Sequence, residues 1–342
     1  MVAREMLIRS KAPLRISFAG GGTDVSPYCD ERGGAVLSTT IDRHAYCTIS
    51  PREDNEISIR SLDFNREERW KVDGNQFQYD GNLDLIKAVL NHFEVKKGFD
   101  MFLHCEAPPG SGLGGSSTVI VAILGAFSEW LNNPMSQYEM ARLAYRLERE
   151  ELGFKGGRQD QYAAVFGGFN FIEFKGQETI VTPLRIKTDV LNELHYCMLL
   201  CYTGRTRDSA NIIQEQTRGY VQGQGEVIDA LDNAKRLAKE TKDALMVGDI
   251  RRMGELLNES WQYKKRFTSS VSNRRVDDIY ETAMRNGAIG GKISGAGGGG
   301  FMFFLCEYDR KHQVGDELVK LGAEIVPFNF DKHGLQTWRY RS

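Results

Sequence analysis

The chain has 342 residues, of which 41% are hydrophobic and 26% charged, and its 44 basic side chains nearly balance its 46 acidic ones. This apolar fraction and a net charge of −2 exclude an intrinsically disordered chain. They also argue against a nucleic-acid-binding protein that works through bulk positive charge, because there is no basic excess to release counterions. The length predicts one large or two medium-sized domains, each with its own core.

The sequence shows no segment typical of a membrane span or an export signal. Its longest apolar stretch, residues 119–127, is well short of the roughly 18 residues that a spanning helix needs. The six cysteines form neither a CxxC pair nor a Cys/His cluster with zinc spacing, which is typical of reduced, mostly buried thiols. We therefore expect a cytoplasmic protein with no membrane or nucleic-acid partner.

The first half of the chain is predicted to consist mainly of strands, because hydrophobic and polar residues alternate with a period of two. The segments with this pattern are 14–18, 45–49, 57–60 and 99–106. In the last segment, Asp100, His104 and Glu106 point away from the apolar side, as in a half-buried antiparallel strand.

Helices are predicted to follow these strands. Residues 118–131 are apolar nearly all round, so this helix is expected to be buried. Ser136 and Glu139 have the spacing of a capping box, which predicts that the next helix begins at Gln137 and continues to about Leu152.

The second half of the chain is predicted to be richer in helices. The pattern predicts strands at 169–174, 196–202, 289–293, 301–306 and 323–328, and helices across 207–287 and at 309–321. Two basic runs, Lys264–Arg266 and Arg274–Arg275, are interpreted as solvated helix faces. The change in composition places a domain boundary at about residues 185–195.

Glycine is concentrated in three loops, each of which follows a predicted strand. We call them the first (18–24), second (108–117) and third (292–300) glycine loops. Glycine permits positive φ angles and a close approach of the backbone to a ligand, at an entropic cost that a structural turn seldom requires. Three such loops in one chain indicate a binding site.

The second glycine loop leads directly into the apolar helix and is expected to bind an anion, most simply a phosphate. Unpaired N–H groups and the positive end of the helix dipole favour negative charge there. The loop is not a Walker A motif, because Ser116 stands where that motif has lysine. Ser116 and Ser117 are candidates to ligate Mg²⁺, although capping of the helix would explain one of them.

The same loop also matches the GxGxxG pattern of dinucleotide-binding enzymes, through Gly110, Gly112 and Gly115. A strand that precedes such a loop lies inside a parallel sheet and is expected to be continuously apolar, but Asp100 and Glu106 interrupt this one. An NAD-binding Rossmann enzyme is therefore the less favoured alternative.

Taken together, the three glycine loops resemble the motifs of the GHMP small-molecule kinases, the superfamily of galactokinase, homoserine kinase, mevalonate kinase and phosphomevalonate kinase. The match begins at Ala12 and follows the order of the family's motifs to Gly300. The resemblance implies ATP and Mg²⁺ as cofactors and an α+β fold of two domains. These are a ribosomal-protein-S5-domain-2-like α/β domain (1–190) and a ferredoxin-like α+β domain (191–342).

The resemblance also implies roles for individual residues. Asp160 corresponds to the catalytic aspartate, with Arg15 beside it, and Glu148 and Ser117 correspond to the magnesium ligands. The segment that corresponds to the ATP-phosphate loop comprises Pro109, Gly110, Ser111, Gly112, Leu113, Gly114, Gly115, Ser116 and Ser117.

Local sequence bears on two of these residues. Glu148 has no basic residue three or four positions away on its predicted helix, so the usual surface ion pair lacks a partner. Asp160 has a competing interpretation as the N-cap of a helix that begins at Gln161, and both roles could hold.

Within the superfamily, the chain most resembles the sugar 1-kinases that act on D-glycero-D-manno-heptose 7-phosphate, through residues 14–24, 157–162 and 202–209. This resemblance implies a sugar phosphate and ATP as small-molecule partners. Guanidinium groups suit the acceptor's phosphate, although pairing with a nearby acid is an equal alternative for each arginine. The implied substrate-binding residues are Gly21, Gly22, Thr23, Asp24, Arg158, Arg205, Arg207, Gly297 and Gly298.

Two further functions stay open from the sequence. One is a related sugar 1-kinase, similar to fucokinase or galactokinase, whose acceptor carries no phosphate. The other is a non-catalytic member of the superfamily that binds and senses a sugar. The sequence also leaves the oligomeric state open between a monomer and a homodimer.

Overall fold

The structure is a computed structural model that describes residues 6–62, 65–204 and 209–341. The strands are β1 (Met6–Ala19), β2 (Gly34–Pro51), β3 (Glu56–Ser61), β4 (Arg66–Lys71), β5 (Phe99–Cys105), β6 (Asn170–Lys175), β7 (Glu178–Pro183), β8 (Met198–Tyr202), β9 (Ala288–Ile293), β10 (Phe301–Cys306), β11 (Glu324–Ile325), β12 (Phe330–Asp331) and β13 (Gln336–Arg341). The helices are α1 (Tyr28–Arg32), α2 (Asp84–Phe93), α3 (Gly115–Trp130), α4 (Gln137–Tyr145), α5 (Gln159–Phe166), α6 (Thr188–Cys197), α7 (Ser209–Val221), α8 (Gly225–Val247), α9 (Ile250–Lys265), α10 (Arg274–Arg285) and α11 (Lys311–Lys320).

The larger of two sheets contains β13, β1, β2, β5, β3 and β4 in that order. The long strand β2 also pairs with β6 and β12, and β6 pairs with β7. The strand before the second glycine loop, β5, pairs antiparallel with β2 and parallel with β3. A Rossmann enzyme needs a parallel sheet at this point, so the dinucleotide-binding alternative is wrong.

The smaller sheet contains β11, β8, β10 and β9 in that order, and its pairs are antiparallel. Along the chain these strands form a β-α-β-β-α-β unit, with α7 to α10 between β8 and β9 and α11 between β10 and β11. This is the ferredoxin-like arrangement, and the predicted α+β fold is confirmed.

The end of the chain returns to the larger sheet. β12 pairs with β2, and β13 pairs with β1 along six residues. The division between residues 190 and 191 stays a prediction, but residues 330–341 add strands to the sheet that also contains β1 and β2.

Local signals located most elements well, and their ends less well. The capping box is present, with Ser136 accepting a hydrogen bond from the backbone N–H of Glu139. The helix that follows continues as a π-helical turn at Arg146–Glu151. The strand expected at 323–328 is reduced to β11, an edge strand whose one partner among the described residues is β8.

The apolar helix α3 is buried as expected, and it packs against β1 and β2. All six cysteines lie in the described part of the chain, where each is buried and none forms a disulfide. No helix among residues 6–62, 65–204 and 209–341 combines the length and the apolar character that a bilayer span requires.

Candidate active site

A cavity lies where the three glycine loops meet, and residues of helices α5, α7 and α9 also line it. The loop residues on the wall are Gly21, Gly22, Asp24, Pro109, Gly110, Ser111, Gly112, Gly114, Gly115, Ser116, Lys292, Gly295 and Ala296. The tertiary structure thus brings together three segments that are far apart in the sequence.

The second and third glycine loops pack directly on each other's backbone. Gly112 has a φ of +84°, and a Cβ atom added to it would lie 2.4 Å from the carbonyl oxygen of Ser294. The backbone N–H of Phe301 donates a 2.9 Å hydrogen bond to the carbonyl oxygen of Ser111. Only glycine combines this φ angle with this approach, so the contact fixes the shape of the second loop.

Helix α3 begins where the second loop ends, and its N-terminus faces the cavity. Gly114, with a φ of +80°, is the N-cap residue. The first N–H groups of a helix have no partner within it, and Gly115 and Ser116, which carry such groups here, line the cavity. This end of the helix can therefore hold a phosphate group.

Arg15 and Asp160 form an ion pair on the cavity wall. Nε of Arg15 donates a 2.7 Å hydrogen bond to Oδ1 of Asp160, and Nη1 donates one of 2.6 Å to the carbonyl oxygen of Gly112. Within the described residues, Oδ2 of Asp160 accepts no hydrogen bond. Asp160 lies in the first turn of α5, which begins at Gln159, so the N-cap interpretation of Asp160 is wrong. The pair holds one carboxylate oxygen and leaves the other for a ligand.

Glu148 is completely buried and receives hydrogen bonds from three side chains. Ser116 and Ser117 donate from Oγ to its two carboxylate oxygens, each at 2.7 Å, and Gln161 donates from Nε2 at 2.7 Å. Nη1 of Arg149 lies 3.4 Å from the same carboxylate. The i,i+3 and i,i+4 spacing of a regular helix does not include a directly adjacent residue, so Arg149 was not predicted as a partner of Glu148.

The π-helical turn explains how the neighbours Glu148 and Arg149 both face the interior. Here the N–H of Leu152 donates to the carbonyl oxygen of Leu147, five residues earlier. Such turns are rare and often occur at functional sites. Nη2 of Arg149 donates a 3.1 Å hydrogen bond to Oγ of Ser117. Arg149 also lines the cavity.

The oxygen atoms of Glu148, Ser116 and Ser117 fit the magnesium ion that the sequence predicts. Mg²⁺ prefers oxygen ligands, retains several waters, and usually binds one or two carboxylates together with substrate phosphates. Across the described ranges no cluster of three His, Cys, Asp or Glu side chains could hold a metal. The donor set suits a cation that also coordinates a bound phosphate.

Asp24 is a buried carboxylate that is held by amide groups. It accepts hydrogen bonds from the backbone N–H of Gly22 at 3.1 Å, the backbone N–H of Gln159 at 3.1 Å and the Gln159 side chain at 3.0 Å. A Cβ atom at Gly157 would lie 1.9 Å from Oδ2 of Asp24. Its place on the cavity wall lets Asp24 accept hydrogen bonds from a ligand's hydroxyl groups.

The structure does not bring Arg158 to the cavity. Nη2 of Arg158 pairs with Asp30 at 2.5 Å, and Nη1 donates to the carbonyl oxygen of Gly176 at 2.5 Å. Arg158 is therefore committed to structural contacts, which corrects its predicted role in binding substrate. The other two predicted phosphate ligands, Arg205 and Arg207, lie outside the described residues.

Three more predicted substrate residues stabilise the backbone conformation of the first and third glycine loops. Oγ1 of Thr23 donates a 2.8 Å hydrogen bond to the carbonyl oxygen of Gly20. The N–H of Gly298 donates to the carbonyl oxygen of Val271 at 2.7 Å, and a Cβ atom at Gly297 would lie 2.7 Å from the same oxygen. Thr23, Gly297 and Gly298 thus set loop shape.

Two buried lysines on the cavity wall were missed by the sequence analysis. Lys264 is 4% exposed and Lys292 is 2% exposed, and both line the cavity. The interpretation of Lys264 as part of a solvated face is wrong. Met253, Leu257 and Trp261 place Lys264 on the buried face of α9, a helical periodicity that could have revealed it.

Burial controls the charge of both lysines. Loss of solvation lowers the pKa of Lys264 to about 8, with Arg15 also lowering it and Asp24 opposing the change. Loss of solvation, together with the charges of Lys264 and Arg15, lowers the pKa of Lys292 well below its usual value. Nζ of Lys292 donates a 3.1 Å hydrogen bond to the carbonyl oxygen of Ser17.

The cavity combines an N-terminal helix site for phosphate with a paired aspartate that has one open oxygen. A set of oxygen donors for a cation adjoins it, in which Ser116 lines the cavity and the fully buried Glu148 and Ser117 lie behind Ser116. These are the features of an enzyme that transfers a phosphoryl group from a nucleotide. Two family models match the chain, the GHMP kinases N terminal domain over residues 83–168 and the GHMP kinases C terminal model over 226–324.

Comparison with individual proteins agrees with these matches. The chain is 42% identical to D-glycero-alpha-D-manno-heptose 7-phosphate kinase of Campylobacter jejuni, over 97% of this chain and 99% of that protein. A crystal structure described as a D-glycero-D-manno-heptose 1-phosphate kinase from Bacteriodes thetaiotaomicron is 38% identical, with a TM-score of 0.83 over 98% of this chain and all of that one. A bifunctional fucokinase/GDP-fucose pyrophosphorylase of Arabidopsis thaliana is 28% identical over 86% of this chain, which corresponds to 29% of its own length. The chain belongs to the GHMP kinase family, and the predicted membership is confirmed.

Proposed function

We propose that the protein is an ATP- and Mg²⁺-dependent kinase that phosphorylates the anomeric C1 hydroxyl of a sugar phosphate. The acceptor we favour is D-glycero-D-manno-heptose 7-phosphate, which would become the 1,7-bisphosphate, a precursor of nucleotide-activated heptose for surface polysaccharides. The heptose kinase that is 42% identical over nearly the whole chain supports this acceptor. We propose that the reaction takes place in the cytoplasm, where ATP is available.

The second glycine loop would hold the phosphates of ATP. Its glycines at 110, 112 and 114 have positive φ angles, and they present the loop backbone and the N-terminus of α3 to the cavity. Glu148, Ser116 and Ser117 would hold Mg²⁺, which neutralises charge on the transferred phosphoryl group.

Asp160 would orient the acceptor hydroxyl and take its proton at Oδ2, while Arg15 fixes Oδ1. Arg15 also bonds to the carbonyl oxygen of Gly112, so the aspartate and the phosphate loop are held in one network. Proteins catalyse phosphoryl transfer mainly by such positioning and by stabilising charge. Asp24 would accept hydrogen bonds from the sugar's hydroxyl groups.

The observation that carries this proposal is the charge of the cavity wall. Five basic side chains line it, namely Arg15, Arg149, Lys155, Lys264 and Lys292, against the carboxylates of Asp24 and Asp160. Arg15 pairs with Asp160 and Arg149 with Glu148, so the surplus comes from the lysines. Burial of an unpaired phosphate is prohibitive, so two phosphorylated substrates need such a surplus. A sugar without a phosphate would leave part of this positive charge uncompensated.

A panel of acceptors tests the proposal. ADP release is measured with heptose 7-phosphate, other sugar phosphates and the free sugars mannose, fucose and galactose, and ³¹P NMR locates the new phosphate. We expect kcat/KM for the heptose 7-phosphate to exceed that for every free sugar by at least about a hundredfold, the discrimination expected when a site's polar groups lose their partner. Comparable values for a free sugar would support the fucokinase- or galactokinase-like alternative, and no ADP release with any acceptor would favour a sugar sensor.

A further inference from the structure

Lys264 is a buried cation without a partner. It is 4% exposed, and within the described residues its side-chain amine forms no hydrogen bond and no ion pair. Its amine lies 5.8 Å from the ring centre of Phe267, which supplies only a weak cation–π contact. A buried charge of this kind is costly unless a ligand compensates it.

Lys264 lies on the acceptor side of the cavity. Lys264 lies in the last turn of α9. Phe267, three residues later, packs against the first glycine loop, since a Cβ atom at Gly22 would lie 2.7 Å from its ring. The charges that act most on Lys264, after its burial, are those of Asp24 and Arg15. The metal-site residue Glu148 instead has its own basic neighbour, Arg149.

Helix α7 forms the adjoining part of the wall. Ser209, Ile213 and Gln216 lie at i, i+4 and i+7, so one face of α7 lines the cavity from its first residue through two turns, about 10 Å. Nε2 of Gln216 donates a 2.9 Å hydrogen bond to the carbonyl oxygen of Gly22. This face adjoins the first glycine loop, and it carries no side-chain cation among the described residues.

We propose that Lys264 is the side chain that binds the phosphate already present on the acceptor, and that it determines the preference for a phosphorylated sugar. The inference rests on the proposed function. It assigns the role to a residue of α9 rather than to Arg158, whose guanidinium is occupied by Asp30.

Charge explains why a phosphate is the fitting ligand. An ammonium group can donate three hydrogen bonds as a compact charge, and Lys264 uses none of them for the protein. A sugar hydroxyl would leave the buried charge of Lys264 uncompensated, whereas a phosphate dianion would neutralise it. The unpaired amine thus favours phosphorylated over free acceptors.

Lys264→Met tests the assignment, with Lys264→Arg to keep the charge and Lys265→Met as a matched control on the same turn. In Lys264→Met we expect KM for heptose 7-phosphate to rise about 30-fold, the loss expected for one charged hydrogen bond. We expect KM for ATP to change less than about threefold. The factor by which kcat/KM falls should be at least about ten times smaller for the free heptose than for heptose 7-phosphate. Lys264→Arg should retain the preference for the phosphorylated acceptor.

Stability and inhibition separate this role from a structural one. Because Lys264→Met removes a buried amine that has no partner, the Tm of this variant should equal or exceed that of the wild type. At saturating ATP, inorganic phosphate should compete with heptose 7-phosphate in the wild type, and should lose at least about tenfold in potency in Lys264→Met.

The outcomes distinguish the two proposals. If the wild type prefers heptose 7-phosphate but Lys264→Met loses activity equally on both acceptors, or loses ATP affinity instead, the Lys264 assignment is overturned and the proposed function stands. A lower Tm with equal losses on both acceptors would likewise show a structural role. If the wild type itself prefers a free sugar, both proposals fail.

Discussion

Arg15 and Asp160 are 145 residues apart in the sequence, yet Nε of Arg15 lies 2.7 Å from Oδ1 of Asp160. Nη1 of the same arginine reaches the carbonyl oxygen of Gly112 and, at 3.2 Å, Oγ of Ser294. One side chain therefore joins α5 to the second and third glycine loops. This arrangement leads to predictions about the aspartate, the loops and the groups around them.

Asp160→Asn should lower kcat at least about tenfold, and as much as 10⁴-fold, because the amide cannot accept the hydroxyl proton that the carboxylate accepts. ATP should still bind, since Asp160 lies outside the second glycine loop. Steady-state ADP release and calorimetric titration with ATP measure the two effects, with the exposed Asp243 changed to Asn as control. Turnover near that of the wild type would remove Asp160 from the mechanism.

Glu148→Gln should weaken the apparent affinity of the enzyme for Mg²⁺ about 10- to 100-fold, because the amide retains the shape but loses the charge of the carboxylate. Glu150→Gln is the matched control, since Glu150 is exposed in the same π-helical turn. Mg²⁺ titrations at fixed ATP provide the measurement. An unchanged Mg²⁺ titration in Glu148→Gln would contradict the assigned donor set.

Gly112→Ala should destabilise the protein more than Gly74→Ala. Both glycines have similar φ angles, +84° and +87°, so both variants bear a backbone strain of about 1–2 kcal/mol. Only Gly112 also lies against backbone, 2.4 Å from the carbonyl oxygen of Ser294, whereas a Cβ atom at Gly74 meets nothing within 4 Å. Urea denaturation should therefore show a larger loss for Gly112→Ala, with a raised KM for ATP, and equal losses would show that the loop contact is unimportant.

The pH dependence of kcat/KM should report Lys264. Its pKa of about 8 means that the amine is charged below that pH and neutral above it. The ionisable side chains that act on this amine are Asp24, Arg15 and Lys292. If Lys264 binds the acceptor phosphate, kcat/KM for heptose 7-phosphate should fall as the pH rises above about 8. The fall should be absent for the free heptose, and absent in Lys264→Arg because arginine stays charged. The same fall in Lys264→Arg would assign it to another group.

Arg158→Met should lower stability and leave the acceptor's KM unchanged within about twofold. Arg158 is nearly buried and bonded to Asp30 and to the carbonyl oxygen of Gly176, so its loss leaves a carboxylate and a carbonyl without their partner. Because Asp30 is partly exposed, we expect a loss of about 2 kcal/mol rather than the full cost of breaking a buried pair. A large rise in KM at normal stability would restore Arg158 as a substrate ligand.

Features that depend on near neighbours in sequence were predictable. The alternation in β5 matches its burial, with Phe99, Met101, Leu103 and Cys105 buried and the residues between them more exposed. The capping box located the start of α4, because both of its hydrogen bonds join residues three positions apart. The glycine loops were recognisable because their composition departs from that of ordinary turns.

Features that depend on partners far away in the sequence were not predictable. The sequence of β13 carries no sign that it pairs with β1 at the other end of the chain. Helical periodicity can place Lys264 on the buried face of α9, but only the fold shows that Lys264 lines the cavity while Arg266 pairs with Glu226 and Asp229. Arg158 looked like a phosphate ligand until Asp30, 128 residues away, was seen to bind it.

The sequence by itself determined the family, the kinds of secondary structure and the three glycine loops, because each of these is written in local periodicity, turn chemistry or contiguous motifs. Only the tertiary structure decided which charges meet in the cavity. An ion pair or an unpaired amine depends on what lies within a few ångströms in space, and electrostatic energies at that range are governed by burial rather than by sequence separation.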